Sequence, residues 1–102
     1  MSDIRENSES GVSVKDKLTY PSMYKVLLLN DDFTPMDFVV FVLKKFFNRT
    51  EEEAHDIMLK VHSEGVGIAG IYPFEIAEMK SAQVNTYAKE HEHPLKSIIE
   101  KE

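Results

Sequence analysis

Residues 30–36, Asn30-Asp31-Asp32-Phe33-Thr34-Pro35-Met36, put three strong hydrogen-bond acceptors, a hydroxyl and a long flexible apolar side chain into one short stretch. A primary ammonium brings three N–H donors, so a site that holds one needs about three acceptors, at least one of them charged. Asn30 with Asp31 or Asp32 supplies such a set. The same tripeptide also reads as a plain turn, because Asn and Asp readily bond their own backbone. Further along, Met58, Val61 and His62 fall within one helical turn and share a face, as Met36 and Val39 do. A histidine beside a core face is commonly structural, and methionines and valines are ordinary core residues. If the two faces meet beside the turn, however, they form an apolar pocket with a polar rim, the layout of a small recognition site. Methionine is the side chain best able to reshape around different guests.

Other constellations carry less. Gly65-Val66-Gly67-Ile68-Ala69-Gly70 matches the dinucleotide fingerprint by letter, but it follows a helix and leads through a strand, the reverse of the context that the fingerprint requires. His91 and His93 stand at a helix C-terminus, where the macrodipole favours them without any metal, and Glu51-Glu52-Glu53 is the complementary acidic first turn. No metal and no cofactor are expected. Asp31 or Asp32 with His62 offers acid–base groups, but no nucleophile stands against a base, so a small hydrolase is disfavoured and the chain is not expected to be an enzyme.

The elements that must position these residues can be read from periodicity. Tyr24 to Leu29 is short, apolar and closed by Asn30-Asp31-Asp32, a largely buried first strand. Thr34 as cap, Pro35 at the first helical position and Asp37 behind them start a helix that runs to about Phe47. Thr50 with Glu53 is a capping box, followed by Ala54, Ile57, Met58 and Val61 at helical spacing until Gly65 stops the second helix. Val66 to Ile71 reads as a second strand. Pro73 opens a third helix that His93-Pro94 ends, and Leu95 to Lys101 is the last strand. The order β-α-α-β-α-β is an α+β pattern, packed most economically as a three-stranded, mainly antiparallel sheet covered by the three helices on one face.

Composition narrows the partners. Twelve Lys plus Arg against eighteen Asp plus Glu leave a net charge of −6, the wrong sign for a surface that tracks phosphates, so nucleic acid is not expected. The absence of cysteine rules out disulfides and thiolate chemistry and suits a reducing cytoplasm. The longest apolar run, Phe38 to Leu43, is far shorter than the roughly 20 residues of a spanning helix, so no membrane partner is expected. The first residues contain no basic-then-apolar secretory pattern. Residues 1–19 are polar, with only scattered aliphatics. They are expected to be a flexible tail before a single domain at 20–102.

Taken with Pro21-Ser22-Met23-Tyr24-Lys25-Val26, Lys45-Phe46-Phe47, Lys80 and Glu92-His93-Pro94-Leu95, the segment from Asn30 to Met36 and the Val61-His62 pair resemble the bacterial Clp protease adaptors of the ClpS family over about residues 21–102. That resemblance implies a protein that binds destabilising N-terminal residues (Leu, Phe, Tyr or Trp) of N-degron substrates and delivers them to the ClpA unfoldase for degradation by ClpP. It further implies that Asn30, Asp31 and His62 hold the α-amino group, that Asp32 supports the acidic turn and that Thr34 bonds substrate backbone. Met36, Val39, Met58, Val61 and Leu95 would line the side-chain pocket, with Met36 as a gate against β-branched residues. Glu75 and Lys80 match positions that dock on the N-terminal domain of the unfoldase, and the tail matches only in being polar. Phe33 stands where some members have Tyr, a change expected to be silent. The competing expectation is a generic protein-interaction module of the same build, in which the acidic turn is only a turn.

Overall fold

The computed structural model describes residues 20–102, and the expected tail at 1–19 lies outside the described residues. Strand β1 (Met23–Leu29) is central, with β2 (Val66–Pro73) on one side and β3 (Lys96–Lys101) on the other, both antiparallel to it. Between them run helices α1 (Met36–Phe47) and α2 (Glu51–Glu64) before β2, and α3 (Phe74–Glu90) after it. The element order and the antiparallel sheet are those that the periodicity predicts.

Alternation along β1 decides which face is covered. Val26 and Leu28 are fully buried and belong to the core with Val39, Val42, Leu43, Met58, Val61, Val84 and Leu95, which places all three helices over that face. The opposite face carries the Lys25–Glu100 ion pair, and Leu27 sits there between its register partners Ile68 and Ile98. A register shift between Val26 and Leu27 leaves Ala69 unpaired as a bulge on β2. The bulge carbonyl is not wasted, since Arg49 donates to the Ala69 oxygen through two guanidinium nitrogens, at 3.0 and 2.8 Å.

The helix ends show where local chemistry ruled. Thr50 and Glu53 form the reciprocal capping box that their spacing predicts, and Gly65 ends α2 at φ 88°, a conformation that suits glycine. At α1 the outcome differs from the expectation. Pro35 is the N-cap, and Thr34 makes no side-chain cap bond. The reason is competition, because the Thr34 hydroxyl donates instead to the Asp31 carboxylate at 2.8 Å. Helix α3 also stops earlier than Pro94, at His91, where Glu92 turns to φ 61° and the His93 amide donates back to the Ala88 carbonyl. Leu95 therefore precedes β3 and is drawn into the core.

Candidate functional site

The turn after β1 is held from within. The Asp31 Oδ1 atom accepts the amides of Phe33 and Thr34 at 2.8 and 2.7 Å, and Oδ2 accepts the Thr34 hydroxyl. Burial pushes this carboxyl up. The bonds from Thr34 and Phe33, with the nearby charge of His93, outweigh that, and the group sits below its ordinary value. Asp31 is thus a carboxylate at neutral pH and the organiser of its own loop. A second tie fixes the loop to the end of α2, where the Asn30 amide donates to the Gly65 carbonyl at 3.0 Å.

That tie brings the turn beside the last helical turn of α2. Asn30, Asp31, Asp32 and Thr34 come together with His62 at the rim of one cavity of about 390 Å³, whose apolar wall is Met36 and Val39 from α1 and Met58 and Val61 from α2. Val39, Met58 and Val61 are buried, while Met36 is 45% exposed at the mouth. A carboxylate pair, an amide and an imidazole over a carbon-lined cleft can hold a ligand with a cationic head and an apolar body. A larger cleft of about 470 Å³ lies between α2 and the outer sheet face, lined in part by Leu27, Ile57 and Ile68, and touches none of the expected site residues.

Of the residues singled out in the sequence, nine line the cavity. Leu95 does not. It is 4% exposed within the core, because apolar burial draws the residue ahead of β3 inward. Glu75 and Lys80 stand on α3, away from the cavity lining. Glu75 is exposed, whereas Lys80 is partly buried and donates to the Phe46 carbonyl at 2.7 Å, with its ammonium 5.8 and 5.5 Å from the Phe47 and Tyr72 rings. Sequence reasoning gave two further lining residues other roles, Phe33 as a silent exchange and Pro35 as a helix start, although both lie inside the same turn. It gave His93 only a place at a helix end, whereas the residue packs edge-on against Phe38 with centroids 4.3 Å apart and acts electrostatically on Asp31. Nothing in its spacing tied it to a turn some sixty residues earlier.

The chain is similar to known proteins. The family model for the ATP-dependent Clp protease adaptor protein ClpS matches residues 19–98. Curated adaptors of that name are similar throughout. That of Bdellovibrio bacteriovorus is 58% identical over 92% of this chain and 82% of its own length, and that of Rhodospirillum centenum 54% identical over 95% and 92%. The solved structure of Agrobacterium tumefaciens ClpS2 bound to L-phenylalaninamide superposes with a TM-score of 0.79 at 37% identity, covering 81% of this chain and all of that one. The proteins so named are adaptors that serve a protease and not proteases themselves. With the model spanning most of its length and relatives above half identity over nearly all of it, this chain belongs to the ClpS family of Clp protease adaptors.

Proposed function

We propose that this adaptor grips the free N-terminal residue of N-degron substrates and delivers them to the ClpA unfoldase, the partner of the ClpP peptidase. The observation that carries the reading is the joining of Asn30, Asp31, Asp32 and His62 to an apolar wall in a single cavity. An α-amino group has a pKa near 8 and is mostly charged at pH 7, which distinguishes a true chain end from any internal amide. L-phenylalaninamide, the ligand of the similar ClpS2, is chemically such an end, with a free amine and a benzyl side chain.

The roles follow from donor and acceptor capacity. Asn30, Asp31 and His62 hold the ammonium, with Asp31 offering the lone pair on Oδ2 that its own loop leaves free and Asp32 adding negative charge. The Thr34 hydroxyl already donates to Asp31, so it serves substrate backbone as an acceptor of an N–H. Met36, Val39, Met58 and Val61 take the side chain, with Leu95 behind them in the core, and Met36 at the mouth screens out β-branched residues. Glu75 and Lys80 on α3 form the docking face for the N-terminal domain of the unfoldase, and the setting is the cytoplasm. Among the described residues no helix is long and apolar enough to cross a membrane.

Fluorescence titration with three peptides that differ only at the start tests the reading. A Leu-starting peptide should bind at least tenfold more tightly than a Gly-starting one, and acetylation of the Leu peptide should abolish binding. Equal binding of the acetylated peptide would reduce the acidic turn to a plain turn and leave a generic interaction module.

A further inference from the structure

The cavity does not stop at Met36 and Met58. On the far side of those two side chains a groove of about 440 Å³ continues along the outer seam between α1 and α2, floored by Val40 and Phe41 and ending at the Lys44–Glu51 ion pair. Three of its charged groups pair with one another at the far end, since Glu51 accepts from Lys44 and also stands 3.3 Å from the His55 ring nitrogen, while the Asp37 carboxylate lines the near end. Apart from exposed Asp37, what remains open is carbon: Met36 and Phe41 are 45% and 47% exposed, while Val40 and Met58 lie beneath. From Met36 to Lys44 the helix rises by about 12 Å at 1.5 Å per residue, the span of about three to four residues of extended chain at 3.3 Å each.

We propose that this seam is a second subsite, which takes an apolar side chain at the third position of the substrate. The inference rests on the reading above, in which the first residue occupies the cavity. The periodicity of an extended chain selects the third position, because successive side chains point to opposite sides and only the first and third face the helices. The second points to solvent. The subsite thus adds sequence preference beyond the terminal residue, for substrates carrying Leu, Met or an aromatic residue two positions behind the chain end. L-phenylalaninamide ends at its first residue, so the seam lies beyond what that ligand reaches.

Fluorescein-labelled peptides beginning Leu-Lys-Phe, Leu-Lys-Ser and Leu-Phe-Ser, otherwise identical and free at the amine, test this with the full chain. Leu-Lys-Phe should bind about tenfold more tightly than Leu-Lys-Ser, the gain for partial burial of one large apolar side chain, and Leu-Phe-Ser within about twofold of Leu-Lys-Ser. The ratio of the first two, measured within each variant, should fall toward one in Phe41→Ala and in Val40→Ala. Either variant suffices if circular dichroism shows that the other is unfolded. Equal binding of the three peptides, or a gain at the second position, overturns the subsite while leaving terminal recognition intact. A ratio of one in a chain that dimerises through Phe41, by sedimentation, would assign the seam to a second copy instead. Failure of every Leu-starting peptide to exceed a Gly-starting control would remove the underlying reading, and the subsite with it.

Discussion

The carboxylate of Asp31 accepts three hydrogen bonds from its own turn, so removing it alters the loop as well as the charge offered to a ligand. Hydrogen bonds to a charged group contribute about 1.5–3 kcal/mol when isolated, and less at a partly exposed site such as this. Asp31→Ala should therefore lower stability by about 1–2 kcal/mol in urea denaturation and weaken peptide binding further. Asp31→Asn, which keeps an acceptor oxygen, should recover most of the stability and little of the binding. A variant that recovers both would show that the turn needs shape and not charge. The pH dependence has two separate limbs. A carboxyl held below its ordinary value of 3.8 contributes stability at pH above that value and loses it as pH falls through the lower folded value. Asp31 thus stays ionised through mild acid. On the alkaline side the ligand titrates, and affinity for a Leu-starting peptide should drop by about tenfold per pH unit above roughly 8, as the α-amine loses its proton. Affinity that stays flat from pH 8 to 10 would contradict recognition of the charged amine.

At the scale of elements, close approaches decide what the cavity looks like. A Cβ built on Gly67 would stand 2.7 Å from a Val61 methyl and 3.2 Å from the Ile57 carbonyl, so α2 can lie against β2 only because that residue is glycine. Gly67→Ala should push the helix outward, destabilise the fold by about 1–3 kcal/mol and loosen peptide binding through Val61, a wall residue. Stability and affinity within error of the parent would show that the helix has slack. Lys80 is a second case. Its bond to the Phe46 carbonyl satisfies an orphan acceptor at the end of α1, and two aromatic faces flank its ammonium. Lys80→Ala should lower stability by about 1–2 kcal/mol, and Glu75→Ala, which is exposed, by less than about 0.5. Urea midpoints distinguish the two, and equal midpoints would free Lys80 for docking alone. These examples mark how far the sequence was legible. The capping box at Thr50, the stop at Gly65 and the largely buried run of β1 follow from local rules and composition. The apolar wall could be read for the same reason, since a shared helical face is a matter of spacing. The Thr34 hydroxyl bond, the tie from Asn30 to Gly65, the place of Leu95 and the reach of His93 toward Asp31 depend on which elements meet in space. No periodicity encodes that.

At the scale of the molecule, every strand pairing and every helix of the described fold falls within residues 23–102, with the Glu102 amide donating to the Met23 carbonyl at 2.9 Å. The core named above is built from described residues, and the only aliphatics of the first eighteen positions after the initiator are Ile4, Val12, Val14 and Leu18. Removing the first eighteen residues should leave stability within about 0.5 kcal/mol and affinity for a Leu-starting peptide within error, because so polar a segment has little to bury and, among the described residues, the cavity lining begins at Asn30. Delivery asks more than grip. In the proposed function the adaptor must hold its substrate and also present it to the unfoldase, and a polar segment suits the second task better than the first. Degradation of a Leu-starting substrate by reconstituted ClpA and ClpP should therefore fall sharply with the shortened chain, though its peptide affinity is intact. Glu75→Ala should lower adaptor–unfoldase association by an independent route, so that combining the two changes weakens delivery more than either alone. Full-rate degradation with the shortened chain would assign contact with the unfoldase to α3 alone, and loss of peptide affinity would mean that residues 1–18 belong to the grip.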